Sequence, residues 1–168
     1  LYAGTSGGVY KSVNQGAQWL QVNHGLVPEG MVKTSRALSV TSVLVDPFTS
    51  ETVYAATLAG LYKTTDGAAS WVRIGESLQD QMIVAMVLDR ARAGVMYVAA
   101  RDGIHRSEDG GKTWVGLNEG LTSTNIRSLA QSALDPQLLY AGTNGSGLYR
   151  STDGGAHWEA LPSVFPKE

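Results

Sequence analysis

The sequence predicts an all-β fold built from four tandem copies of one small antiparallel sheet. The first observation is self-similarity at a fixed period, because all four tryptophans close similar segments, with spacings of 52, 43 and 44 residues. The second is alternation of apolar and polar residues within each segment, which is typical of half-buried strands. The third is an excess of glycine, 20 residues against 5 prolines, which indicates many tight turns.

Each repeat contains four short strand-like runs. The first runs are 40–45, 83–88 and 129–134, and an aspartate follows each of them: Asp46, Asp89 and Asp135. The second runs begin at Tyr2, Tyr54, Tyr97 and Tyr140, and the third runs are 8–12, 60–64, 103–107 and 147–151. Each fourth run begins at a tryptophan. Four antiparallel strands in about 43 residues form the blade of a β-propeller. We therefore predict a β-propeller fragment with blades at approximately 1–22, 38–75, 82–117 and 125–161, of which the first lacks its innermost strand.

The segment between the third and fourth strands carries a motif. SEDGGKTW (107–114) and STDGGAHW (151–158) match Ser-x-Asp-x-Gly-x-x-Trp in full, whereas TTDGAASW (64–71) and SVNQGAQW (12–19) depart from it at Thr64, Ala68 and Asn14. The chain thus resembles the Asp-box, or bacterial neuraminidase repeat, propellers. That family includes sialidases, xyloglucan-cleaving glycoside hydrolases, sortilin-type receptors and photosystem II assembly factors. The resemblance implies Asp-box turns between third and fourth strands, an extracytoplasmic location, and a parent polypeptide with more blades, seven in all.

We expect these four segments, called the box turns below, to be structural. Asp or Asn can accept hydrogen bonds from its own turn, glycine relieves a positive φ, and tryptophan buries apolar area under the turn. The alternative is that the aspartates are catalytic acids, but Asn14 cannot act as an acid. The residues assigned to this structural role are Ser12, Asn14, Gly16, Trp19, Thr64, Asp66, Trp71, Ser107, Asp109, Gly111, Trp114, Ser151, Asp153, Gly155 and Trp158.

A basic residue also recurs on every third strand. For Lys11, Lys63, Arg106 and Arg150 we expect a solvated structural role; the alternative is a basic stripe that docks a partner.

Antiparallel topology places the loops between second and third strands, together with the inter-blade loops, on the face opposite the box turns. We call this the loop face and the opposite one the turn face. Departures from the repeat there are the candidate binding residues: His24, Glu29, Lys33, Arg36, Arg101, Asp102, Asn118, Glu119 and Asn144. The first inter-blade loop, 23–37, is the longest. Two alternatives remain open, namely ordinary drift in exposed loops and mutual neutralisation of Arg101 and Asp102.

The composition excludes several functions. The chain has no cysteine, and its three histidines lack ligand-like spacing, so we predict no metal and no cofactor. Its net charge of −2 argues against a nucleic-acid partner, and no apolar run is long enough for a membrane span. No carboxylate pair is marked as catalytic.

We therefore predict a non-catalytic module that engages a protein partner, or the remaining blades of the same propeller. The alternative is part of a glycoside hydrolase propeller that binds carbohydrate and whose catalytic acids lie partly outside this chain.

Overall fold

The computed structural model describes residues 1–27, 38–79 and 81–162. In these ranges the chain forms fifteen β-strands, which hydrogen-bond into one three-stranded and three four-stranded antiparallel sheets. Each sheet corresponds to one sequence repeat. The predicted all-β architecture of four tandem blades, the first lacking one strand, is thereby confirmed.

The strands follow one another through each sheet in chain order. The first sheet contains β1 (Tyr2–Thr5), β2 (Gly8–Lys11) and β3 (Leu20–Gln21). The second contains β4 (Val40–Val45), β5 (Val53–Thr57), β6 (Gly60–Thr64) and β7 (Val72–Ile74). The third contains β8 (Ala85–Leu88), β9 (Met96–Ala100), β10 (Gly103–Ser107) and β11 (Val115–Gly116). The fourth contains β12 (Ile126–Gln131), β13 (Leu139–Thr143), β14 (Leu148–Ser151) and β15 (Glu159–Ala160). A 3-10 turn, Glu76–Leu78, follows β7.

The inner edges of the sheets lie side by side. Thr41 on β4 donates a hydrogen bond from its hydroxyl to the carbonyl oxygen of Ile83, just before β8, over 2.6 Å. Gln131 on β12 donates from Nε2 to the buried carboxylate of Asp89, just after β8, over 3.0 Å. Strands β4, β8 and β12 are therefore the innermost strands, and the two- or three-residue strands β3, β7, β11 and β15 form the outer rim. Such short edge strands limit edge-to-edge association.

The hydrophobic core lies between sheets. One buried cluster joins the first and second sheets through Val9, Tyr62 and Trp71. Corresponding clusters join the second sheet to the third and the third to the fourth. A single sheet of this size cannot bury both of its faces, so each blade depends on its neighbours for burial.

The tryptophans of the box turns differ in their packing. The sequence predicts that each tryptophan packs under its own turn, but Trp71 and Trp158 are buried between sheets. Their indole N–H groups donate to the preceding sheet's chain, at Val22 O over 2.7 Å and Leu117 O over 2.9 Å. Trp114 donates to Gly111 O of its own turn over 3.0 Å, and Trp19 is 41% exposed. Trp71 and Trp158 therefore join adjacent blades instead of locking only their own hairpins.

The innermost strand of the fourth sheet lies three residues earlier than the sequence predicts. The expected strand was 129–134, ending at Asp135, whereas β12 ends at Gln131. Ser132 Oγ accepts the backbone N–H groups of Leu134 and Asp135, both over 3.3 Å. The carboxylate of Asp46 accepts the equivalent two N–H groups in the second sheet. A serine hydroxyl can hold such a turn as an aspartate does, so the prediction based on Asp135 was wrong.

Candidate functional site

The four box turns share one hydrogen-bonding pattern. At the first position Ser12, Thr64, Ser107 and Ser151 donate to the Asn or Asp two residues on, over 2.6–3.1 Å. The same hydroxyls accept the backbone N–H four residues on, over 2.8–3.1 Å. The Asn or Asp oxygen in turn accepts the backbone N–H four residues beyond it. These side chains are therefore engaged by their own turns.

The aspartates of these turns are held ionised. The Ser70 hydroxyl, followed by the Thr64 hydroxyl and the turn's N–H groups, lowers the pKa of Asp66 well below its usual range. The Thr113 hydroxyl and backbone N–H do the same for the pKa of Asp109. The His157 N–H and the Ser151 hydroxyl lower the pKa of Asp153. A carboxyl with a depressed pKa is a poor general acid at neutral pH.

The repeated basic residue lies over the repeated tyrosine of the same blade. The Lys11 ammonium is 5.6 Å from the ring centre of Tyr2, and Lys63 and Arg106 lie at 5.2 and 5.9 Å from the matching rings. Lys11 and Tyr2 also donate to Gly67 O in the next blade's box turn, over 2.8 and 3.1 Å. In the first blade, therefore, this position helps to dock the next blade.

Several candidate residues of the loop face are used to hold the fold. Asn118 accepts Ile104 N–H at Oδ1 over 2.8 Å and donates to Asp102 O over 3.3 Å, which braces the hairpin between β9 and β10. Asn23 makes the equivalent pair of bonds in the first blade. The sequence does contain this signal, since both asparagines stand in an Asn-x-Gly-Leu segment.

His24 and Glu119 occupy the second position of these segments. Their carbonyl oxygens accept the backbone N–H of Trp71 and Trp158 over 2.8 and 2.9 Å. The following glycine must be small, because a Cβ on Gly120 would lie 2.0 Å from Trp158 O. The backbone at His24 and Glu119 thus joins adjacent blades.

Asp102 does not pair with Arg101. Its carboxylate lies 2.8 Å from His105 Nε2, and the His105 side chain is 13% exposed. Within the described residues no ion pair involves Arg101. No direct contact therefore supports the alternative in which Arg101 and Asp102 neutralise each other.

A groove on the loop face collects residues of the third and fourth blades. It has a volume of about 370 Å³ and is lined by Met82, Val84, Ala100, Arg101, Thr124, Asn125, Ile126 and Arg127. We call it the cationic groove. Of its lining residues, Ala100 and Ile126 are buried, Met82 and Val84 are half-buried, and both arginines are exposed.

Arg127 belongs to the cationic groove but was not among the sequence-predicted residues. It is skipped by the pairing of β12 with β13, in which Ile126 opposes Thr143 and Ser128 opposes Gly142. Such a bulge re-aims the extra residue away from the regular ladder. The sequence does contain a signal for Arg127, because a charged residue stands near the start of an innermost strand at the position where the second blade has Thr41.

Asn144 supports the rim of the cationic groove through its backbone, whose N–H donates to Asn125 O over 2.8 Å. The remaining candidates Glu29, Lys33 and Arg36 lie outside the described residues.

A larger groove, of about 740 Å³, lies on the turn face between the ends of β4, β8 and β12. Its acidic residues are Asp46 and Asp89. Asp46 holds its own turn through Phe48 and Thr49. Burial alone would raise the pKa of Asp89, but hydrogen bonds from Arg92 and Gln131 outweigh it and lower the pKa below the usual value. Both carboxylates are therefore structural.

The described ranges 1–27, 38–79 and 81–162 offer neither a metal-binding cluster nor a helix that could span a membrane. No group of three or more metal-binding side chains occurs there. None of their helices has the length and apolar character needed to cross a membrane.

No protein-family model and no curated protein matches the chain. Solved structures do match it. An ancestral GH74 enzyme is 24% identical, with a TM-score of 0.81 over 98% of this chain. PorZ, described as an essential surface component of the type-IX secretion system of Porphyromonas gingivalis, is 23% identical with a TM-score of 0.64 over 91%. YCF48 bound to D1 peptide is 19% identical with a TM-score of 0.57 over 73%.

These structures have β-propeller folds, and their likeness establishes that fold for this chain. The chain spans 22%, 23% and 39% of their respective lengths.

Proposed function

We propose that this chain is a non-catalytic part of a β-propeller that binds a protein partner through its loop face. The observation that carries the proposal is the cationic groove. It is a concave site between two blades, and its lining combines apolar side chains with amide, hydroxyl and guanidinium groups. Loops on a rigid scaffold are where binding residues concentrate, and a cleft with a few convergent polar groups is the usual form of a binding site.

The chemistry of the lining favours binding over hydrolysis. Glycoside hydrolysis needs two carboxyl groups across a cleft, about 5 to 9.5 Å apart, one of them able to donate a proton. No carboxylate is among the described residues that line the cationic groove. The two acids of the turn-face groove are bound by their own turns, and the pKa of Asp89 is lowered, which disfavours proton donation.

The similar structures support a binding role in an extracytoplasmic setting. YCF48 was solved with a D1 peptide bound, and PorZ is a bacterial surface component. We carry both properties over as proposals, so that the partner is a protein and the location is outside the cytoplasm. We further propose that the box turns mark an Asp-box repeat, since all four share one hydrogen-bonding pattern.

Among the candidate residues, we assign partner contact to Arg101, Asn125 and Arg127, with Asn144 at the rim. Asn118 and the backbones of His24 and Glu119 maintain the loops. Asp102, paired with His105, holds the hairpin next to Arg101.

A steric block tests the proposal. Thr124 lines the cationic groove and is exposed, so Thr124→Trp should fill the groove without disturbing the core. Val115→Trp, at an exposed position on the outer strand β11, is the matched control. The full-length protein is used to capture its partner from source extract, and the captured protein is identified and purified. We expect Thr124→Trp to abolish its binding in titration calorimetry and Val115→Trp to preserve it. Equal binding by both variants would place the contact elsewhere and refute the proposal.

A second candidate function is favoured by the GH74 likeness, which covers nearly the whole chain. In that case these blades form one part of a carbohydrate-active enzyme, and the catalytic acids come partly from sequence beyond this chain. The test is an assay of the full-length protein on plant xyloglucan with Asp102→Asn and Glu119→Gln. Hydrolysis that either substitution abolishes would favour the enzyme. An intact protein that leaves the glucan uncut would exclude it.

A further inference from the structure

The two arginines of the cationic groove lack a counter-ion in the part of the chain that the structure describes. No ion pair within the described residues involves Arg101 or Arg127. The nearest acid in sequence, Asp102, is bound to His105 over 2.8 Å. The chain as a whole has a net charge of −2, so this local pair of positive charges is not a consequence of an overall basic surface.

The backbone fixes where both arginines stand. Arg101 begins the tight turn after β9, directly beyond buried Ala100. Arg127 is the extra residue of the bulge in β12, directly beyond buried Ile126. The main chain of each arginine is thus fixed at a strand end, and apolar lining residues of the groove lie beside both. Guanidinium groups bind carboxylates through two parallel hydrogen bonds, which gives both strength and orientation.

The surroundings of the two charges suit an extended peptide. The apolar lining residues Met82 and Val84 offer contacts for aliphatic side chains, and Thr124 and Asn125 offer hydrogen-bonding groups at the same site. Among the lining residues that the structure describes, none has an aromatic side chain on which a sugar ring could stack. The lining therefore complements a chain that carries both carboxylates and aliphatic groups.

We infer that the cationic groove recognises an acidic, partly aliphatic peptide segment of the partner, with its carboxylates on Arg101 and Arg127. This inference rests on the proposed function and deepens it by naming the chemistry of the ligand. The carboxylates belong either to Asp and Glu side chains or to a free chain terminus. Binding of this kind weakens with added salt, because exposed charges are screened.

The test is fluorescence anisotropy of labelled ten-residue peptides that alternate leucine and glutamate, titrated with the full-length protein. Leucine–glutamine and leucine–lysine peptides are the comparison probes, each made with a free and an amidated C-terminus. Arg101→Ala and Arg127→Ala should each lower the affinity of the protein for the leucine–glutamate peptide at least tenfold. Arg90→Ala is the matched control, since Arg90 is also exposed but lies on the turn face.

Each outcome discriminates. If the double variant Arg101→Glu, Arg127→Glu binds the leucine–lysine peptide more tightly than the leucine–glutamate peptide, the groove recognises its ligand by charge. An effect of C-terminal amidation larger than that of glutamine replacement would assign the recognised carboxylate to the chain terminus. Equal affinity for all three peptides, or no loss in either alanine variant, would overturn the inference. If the captured partner still loses binding in Thr124→Trp but not in the arginine variants, the proposed function stands and the acidic ligand is refuted.

Discussion

Replacement of Gly111 by alanine tests the packing between the second and third blades. Gly111 has φ +91°, and a Cβ there would lie 2.5 Å from Ile74 Cδ1 and 3.5 Å from Met96 Sδ. The left-handed conformation costs an L-residue about 1–2 kcal/mol, and overpacking costs about 1–3 kcal/mol. We therefore expect Gly111→Ala to lower the free energy of unfolding by about 2–5 kcal/mol.

The chain contains a natural counterpart of this substitution. Ala68 occupies the equivalent position in the second blade, with φ +74°, and is buried in the cluster against which Val22 packs. The repeat aligns Val22 with Ile74 and with Leu117, whose Cδ1 would lie 2.9 Å from a Cβ on Gly155. Alanine thus stands next to the shorter valine, and glycine stands next to the longer isoleucine and leucine.

A double-mutant cycle measures this complementarity. Ile74→Val removes the Cδ1 atom that the new methyl group would meet, so Gly111→Ala should cost less in the Ile74→Val background, by about 1 kcal/mol or more. The free energy of unfolding is measured by urea denaturation of all four proteins, with unchanged m-values as the check on two-state behaviour. Additive losses, or a Gly111→Ala change within about 0.5 kcal/mol of zero, would refute the steric reasoning.

The remaining predictions concern three other features. Trp158→Ala opens a cavity between blades and should lower the free energy of unfolding by about 3–5 kcal/mol. Trp19 is 41% exposed, so Trp19→Ala should lower the free energy of unfolding much less. Similar losses of unfolding free energy in the two variants, measured by denaturation, would contradict the inter-blade role of Trp158. Asn118→Ala leaves Ile104 N–H without its acceptor, so faster hydrogen exchange at that amide is expected, and an unchanged rate would count against the brace. The lowered pKa of Asp109 means that its contribution is present above about pH 4, the ordinary carboxyl pKa, and is lost as pH falls toward the folded-state pKa. Asp109→Asn should thus flatten the fall in stability between pH 6 and pH 3, and an identical pH profile would disprove this.

The sequence predicts most of this fold because four copies of the repeat show the same residue pattern at equivalent positions. Strand β4 was predicted with its observed bounds, and the loops were assigned to opposite faces from strand count alone. The fourth blade was misaligned because a serine, Ser132, holds the turn that Asp46 and Asp89 hold elsewhere. Functional equivalence between serine and aspartate at a turn is visible only when backbone hydrogen bonds are known.

The candidate site was predicted less completely. Arg101 was identified as a departure from the repeat, and the structure places it in the cationic groove. Arg127 was missed because a bulge, and not the alternation of the strand, determines its environment. The partner of Asp102 was beyond sequence reasoning, since it depends on the geometry of the hairpin between β9 and β10, whereas the recurring Asn-x-Gly-Leu segment was an available signal for the role of Asn118.

Most of the side-chain bonds between sheets described above join residues that lie about one repeat apart in the chain. Trp71 to Val22, Trp158 to Leu117, Thr41 to Ile83, Gln131 to Asp89 and Lys11 to Gly67 join residues 49, 41, 42, 42 and 56 positions apart. Each is about one repeat, so energetic coupling runs only between nearest neighbours, as in a one-dimensional array. Such an array can therefore grow during evolution by duplication of whole repeats, with changes confined to the contacts between the new neighbours, such as the one that sets Ala68 beside Val22 and Gly111 beside Ile74.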